Sequence, residues 1–238
     1  MVRFRRPLLL RSKAPRPPGA PTRRLIAARL ASDLQILSAY DAAPIPWKNG
    51  AGLTRVLLTW PAPESWILRL SIAEIHQSGP FSIFPGIERW FAVLSGGAVA
   101  LETQGGAATH FDRSERSLHR FRGDAPTNCT ISGAPTQDFN VMLDRARGEL
   151  AQRPLAESAD LETTADWVGL FTVAPLELSI ESDGAATGAV IPIPALSLAA
   201  WPNPARAARR LRIASRPVPS PRGWWLECIV AQHHLRET

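Results

Sequence analysis

The chain has 238 residues, 45% of them hydrophobic, with a net charge of +6. That length suits one large all-β domain or two small ones, and the apolar content is enough for a full core. Two cysteines, Cys129 and Cys228, and no CxxC pair exclude a disulfide framework and point to free thiols in a reducing, cytoplasmic compartment.

The basic balance belongs to one end. Nine Lys and Arg residues, from Arg3 to Arg29, precede the first acid, Asp33, and removing them leaves 18 basic against 21 acidic residues. A nucleic-acid-binding body needs its cations on the folded surface, so none is expected here. No apolar run reaches the roughly 18 residues of a membrane helix, and Leu8-Leu9-Leu10 is too short for a signal-peptide core. Residues 1–32, rich in Arg and Pro, read as a disordered basic tail. An Arg-rich, acid-free stretch also fits an organelle transit peptide or an over-long start.

From residue 34 the pattern is β. Short apolar runs at 34–38, 53–60, 66–75, 89–94, 99–102, 127–132 and 139–143 alternate with Gly/Pro turns. In the clearest run Leu68, Leu70 and Ile72 share one face, and Arg69, Ser71 and Ala73 share the other. Residues 144–153 suit a short bridging helix. The β habit returns at 167–173, 176–181, 189–193 and 224–231, and 205–211 suits one or two helical turns. Many short strands with turns about ten residues apart indicate a sandwich or barrel. The folded domain spans 33–238, with an N-terminal half over about 33–145 and a C-terminal half over about 165–232.

Chemistry concentrates in two segments. PWKNGAGLTR (46–55) places Lys48, Asn49, two glycines, Thr54 and Arg55 beside Trp47. Glycines let backbone approach a ligand, and Lys and Arg hold anions, Arg with a planar fork. The bland alternative is a turn with solvated charges. The second segment, residues 78–90, is a Pro/Gly-punctuated loop carrying Phe81, Ser82, Phe84 and Arg89. Arg89 either pairs with Glu88 or Asp138 or offers its fork to a carboxylate. Arg69, inside an apolar strand, either faces solvent or lines a polar barrel interior able to hold one small ligand. Asp138 and Asn140 alternate on one face with Met142, so both can point into the same cavity, or serve as turn and edge-strand residues. The five histidines form no HxH or HxxxH ligand set, and Cys129 reads as a buried structural thiol.

Three stretches taken together, PWKNGAGLTR (46–55), RLSIAEIHQSGPFSIFPGIERWFAVLSGG (69–97), and FRGDAPTNC (121–129) with DFNVM (138–142), resemble the HutD family, which includes the Ves proteins. The family pattern KNGGG has Ala51 in place of its middle glycine here, which is unfavourable if φ is positive at that position. The resemblance implies an all-β, cupin-like (bicupin) β-barrel pair in one compact unit with a few short helices, and no metal or cofactor. It also implies a link to histidine utilisation, as a governor that binds a pathway intermediate such as formylglutamate or a related acid.

The expectation is therefore a metal-free, cytoplasmic binding protein for a small carboxylate metabolite, urocanate being a second candidate ligand. Its ligand-binding residues are Trp47, Lys48, Asn49, Thr54, Arg55, Arg69, Ser82, Phe84, Arg89, Asp138 and Asn140. The competing readings are an isomerase or hydrolase on the same scaffold, using Glu74, His76 or Asp138 as acid or base, and a partner-binding module that uses the tail. Barrel edges also suit a homodimer.

Overall fold

The computed structural model describes residues 34–155, 160–182, 185–206, 209–213 and 222–231. The basic tail expected over 1–32, and His233 and His234, lie outside the described residues. The chain runs through β1 (Gln35–Ser38), β2 (Pro44–Pro46), β3 (Gly52–Trp60), β4 (Leu68–Ile75), β5 (Gly79–Pro80), β6 (Ile87–Ser95), β7 (Ala98–Thr103), β8 (Thr109–Phe111), β9 (His119–Arg122), β10 (Thr127–Ser132) and β11 (Thr136–Asp144). It continues through β12 (Gly148–Pro154), β13 (Asp160–Thr163), β14 (Trp167–Thr172), β15 (Leu176–Ser182), β16 (Ala185–Ile193), β17 (Ser197–Pro202), β18 (Arg209–Ile213) and β19 (Gly223–Val230). One 3-10 turn, Pro63–Ser65, is the only helical element among the described residues. None of them forms a helix long and apolar enough to cross a membrane.

Four antiparallel sheets make two cupin-like barrels. The first pairs the six-stranded sheet β2-β3-β4-β11-β6-β9 with the four-stranded sheet β5-β10-β7-β8. The second pairs β1-β17-β14-β19-β12 with β13-β18-β15-β16. β1 crosses over to pair with β17, Gln35 opposite Ala200, so the second barrel takes its edge strand from the start of the domain.

The period of two decides what each strand buries. Leu68, Leu70 and Ile72 of β4, Trp90, Ala92 and Leu94 of β6, and Phe139, Val141 and Leu143 of β11 face the second barrel. There they meet Trp167, Phe171, Leu198, Ala200, Trp224 and Leu226 in one continuous core. Phe139 and Phe171 stack with centroids 4.0 Å apart, and Phe139 and Trp224 with centroids 5.6 Å apart. Each fully buried aromatic contributes roughly 1.5–3 kcal/mol by burial alone, so this layer fixes the two barrels face to face. The opposite faces of β4, β6 and β11 look into the first barrel.

Two sequence expectations are corrected. Residues 144–153 are a turn followed by strand β12, whose Gly148 to Pro154 pair with Val230 to Trp224. A partner strand some eighty residues away overrides a local preference for helix. Residues 205–211 are not helical where they are described: Arg206 has φ +48°, a left-handed turn, and β18 begins at Arg209.

Candidate anion-binding cavity

Arg69 and Arg89 stand in one row across the six-stranded sheet. Met142 of β11 is the register partner of Arg69 on β4 and of Arg89 on β6. With strands about 4.8 Å apart, the two arginine Cα atoms are roughly 10 Å apart with the thioether between them. The next inward-facing row holds Ser71 and Asn140, also register partners. These side chains line an open cavity of about 700 Å³.

Three loops and strands complete the wall. The turn after β2 brings Trp47, Lys48 and Asn49 to the mouth. Trp47 Nε1 donates to Thr54 Oγ1 at 2.8 Å, which fixes the indole against the wall. Asn49 Oδ1 accepts from Ala51 N at 3.1 Å, so its oxygen holds the turn and its amide NH2 is left for a ligand. The left-handed residue of this turn is Gly50, at φ +70°. Ala51 is not among the positive-φ residues, and this is why alanine is tolerated where the family pattern has glycine. Gly52 is required by close approach: a Cβ there would lie 2.3 Å from Glu74 O. From the other side the 80–84 segment contributes Phe81, Ser82 and Phe84.

Arg89 is 8% exposed, and its Nε has no hydrogen-bond partner. Its guanidinium sits 4.9 Å from the ring centres of Phe81 and Phe121 and 5.7 Å from that of Phe84. Burial, and then the charge of Arg69, pull its pKa down to about 10, so it remains a cation at neutral pH. Arg69 is lowered by burial as well, and its Nη1 donates to Met142 Sδ, at 3.3 Å. Glu88, one of the two acids offered as a partner for Arg89, pairs instead with Arg120 at 2.9 Å and Arg145 at 3.9 Å. Neither Arg69 nor Arg89 has an ion-pair partner among the described residues.

Nine of the eleven residues singled out in the sequence line this cavity: Trp47, Lys48, Asn49, Thr54, Arg69, Ser82, Phe84, Arg89 and Asn140. Arg55 does not. Strand alternation turns it away from Thr54, and its Nε donates to Glu74 Oε1 at 3.2 Å and its Nη1 to Ala42 O at 2.9 Å. Asp138 shares a sheet face with Asn140 but lies below the wall, 0% exposed, with Thr136 Oγ1 donating to Oδ2 at 2.9 Å and Oδ1 unpartnered. Burial pushes its carboxyl up to about 8, against the opposing pull of the Thr136 hydrogen bond. Ser71, Phe81 and Met142 also line the cavity. Period-two alternation from Arg69 and Asn140 places Ser71 and Met142 there.

Among the described residues no Asp, Glu or His lines the cavity. Glu74 and His76, 3.9 Å apart, belong to the Arg55 cluster outside it. Among the described residues no three His, Cys, Asp or Glu side chains are placed to hold a metal ion. A lining of guanidiniums, amides and hydroxyls suits an anion and does not fit a divalent cation.

The HutD family profile matches residues 39–215. The chain belongs to the HutD family. Protein Ves of Citrobacter koseri is 41% identical over 113 residues, which cover 45% of this chain and 58% of that protein, so the match spans little more than half of that relative's length. A 21.2 kDa protein of Pseudomonas putida, encoded in the hutC 3' region, is 32% identical over 145 residues, covering 59% of this chain and 74% of that one. Among solved structures, a conserved protein from Pseudomonas aeruginosa PAO1 superposes with a TM-score of 0.71 at 26% identity, covering 83% of this chain and 99% of that one. HutD from Pseudomonas fluorescens SBW25 gives 0.70 at 24% identity, with the same coverage of both chains. Oxalate decarboxylase of Bacillus subtilis, at 0.52 and 11% identity over 82% of this HutD-family chain and 76% of that enzyme, shares the cupin fold alone.

Proposed function

We propose that this HutD-family protein is a binding protein for a small organic acid, and that its cavity takes the ligand's carboxylates on Arg69 and Arg89. The observation that carries this reading is a pair of guanidiniums facing one cavity with no acid opposite either among the described residues. A buried charge without a partner is costly, and a bound anion offsets that cost. Lys48 adds a cation at the exposed mouth. Asn49, Ser71, Ser82 and Asn140 offer neutral hydrogen bonds, and Trp47, Phe84 and Met142 give apolar surface for a short carbon chain. A mostly apolar wall with a few converging polar groups is the usual layout of a small-ligand site.

The hutC-region location of the Pseudomonas putida relative supports a link to histidine utilisation, and the candidate ligands are its acids formylglutamate and urocanate. Formylglutamate carries two carboxylates for two cations. Binding without turnover is favoured over catalysis because, among the described residues, no Asp, Glu, His, Cys or Tyr lines the cavity to serve as general acid or base.

Calorimetry with formylglutamate, urocanate and glutamate tests the proposal. Formylglutamate should bind in the micromolar range, about −8 kcal/mol. Absence of heat for all three acids at millimolar ligand would overturn it. Mass-spectrometric detection of a product from any of them would replace the binder by an enzyme.

A further inference from the structure

Sulfur is scarce in this chain: two methionines, Met1 and Met142, and two cysteines. Both thiols are buried. Burial pushes each up to about 12, with smaller contributions from Asp138 at Cys129 and from Asp166 at Cys228. Such thiols hold almost no thiolate at neutral pH and react slowly with oxidants. Met142 stands apart. It is 2% exposed but lines the cavity, in register between Arg69 and Arg89, and its Sδ is 3.3 Å from Arg69 Nη1. A thioether needs no deprotonation to act as a nucleophile.

We propose that Met142 is a modification site: a hydroperoxide entering the cavity oxidises it to the sulfoxide, whose oxygen then takes the ligand carboxylate's place between Arg69 and Arg89. Its consequence for binding rests on the anion-site reading above. The sulfur lone pair attacks one peroxide oxygen, an S–O bond forms and the O–O bond breaks. With hydrogen peroxide the transferred oxygen passes its proton to the departing hydroxide, giving water. Sulfur loses two electrons and the peroxide gains them, so no further reactant is required. The hydroxide departs beside two guanidiniums, which stabilise the charge that develops on it.

Oxidation turns a soft apolar side chain into a strong hydrogen-bond acceptor, which disrupts an ordinary core. Here the new acceptor meets two cations that have no acidic partner among the described residues. The modified protein should therefore keep its stability while its anion site is filled from within.

The test treats the full chain with hydrogen peroxide and follows peptide mass, melting temperature and formylglutamate binding. The expected result is one added oxygen at Met142 with both cysteines unmodified, a melting temperature unchanged or raised, and a Kd for formylglutamate raised at least tenfold. Met142→Leu should bind the acid equally before and after peroxide. In Arg69→Leu, oxidation should lower the melting temperature, because the sulfoxide loses a partner. Oxygen on the cysteines instead of Met142, a lowered melting temperature in the wild type, or undiminished binding after oxidation would each overturn the proposal. If the untreated protein binds none of the three acids, the ligand reading falls alone, and the mass and melting results still decide the modification.

Discussion

In the second half of the molecule Arg206 lies flat against Asp166, Nε to Oδ1 at 2.7 Å and Nη2 to Oδ2 at 2.8 Å. Asp166 also accepts from Val230 N at 2.7 Å. Burial alone would raise this carboxyl, but the guanidinium and the amide hold it below its ordinary value. In the first half Arg69 has a thioether contact and Arg89 cation–π contacts, and neither has an acid among the described residues. The barrel interiors differ in the same sense. Val168, Leu170, Ala199, Trp201 and Trp225 fill the second with hydrocarbon, whereas the first keeps a cavity of about 700 Å³ above a smaller apolar floor that includes Phe91, Val93 and Phe121. One scaffold thus takes two forms, a packed brace and an open cationic cavity, and the second is the receptor of the proposed function.

If that division is real, substitutions should separate cleanly. The largest effect on stability belongs to the brace. Leu170→Ala should cost about 2–5 kcal/mol in unfolding free energy, measured by denaturant titration, with ligand affinity unchanged well below the melting temperature. Arg89→Met should do the reverse. Binding should weaken by about 2–4 kcal/mol, or roughly 30- to 1000-fold, while the melting temperature holds, because a buried charge without an acidic partner is replaced by an apolar side chain. A weakened melt with intact binding would erase the distinction between the barrels.

Asp138 sharpens the comparison through pH. Its folded carboxyl is raised from 3.8 to about 8. Between those values the folded state binds a proton that the unfolded state has released, so stability falls as pH rises. Asp138→Asn should therefore leave stability unchanged below pH 4 and raise it by on the order of 2 kcal/mol or more above pH 8. Thermal melts across that range would show it, and a constant difference at all pH values would contradict the assignment. The smallest effect is expected at the mouth. Lys48 is exposed, so Lys48→Ala should weaken binding by about 1 kcal/mol or less, and the difference should shrink at high salt.

Much of the cavity was legible from alternation. Once Arg69 was placed opposite Leu68 and Leu70, Ser71 and Ala73 had to share its face, and they do. The same rule separates Thr54 from Arg55, neighbours in one strand that cannot both face inward, though both stand in the same motif. The depth of Asp138 was not legible: periodicity gives the face, and only the packing of other strands decides where the cavity stops. The pairing of Glu88 with Arg120 and Arg145, which leaves Arg89 without an acid, depends on β9 and on the turn after β11, both distant in sequence. The residues of β12 favour helix locally, and what makes them a strand is β19, which lies near the far end of the domain.

The most direct test is a crystal structure of the protein grown with saturating formylglutamate. The account predicts density in the cavity bridging Arg69 and Arg89 above Met142, with one carboxylate on each guanidinium. An empty cavity at saturation, or ligand bound instead on the Arg55–Glu74 face, would contradict it.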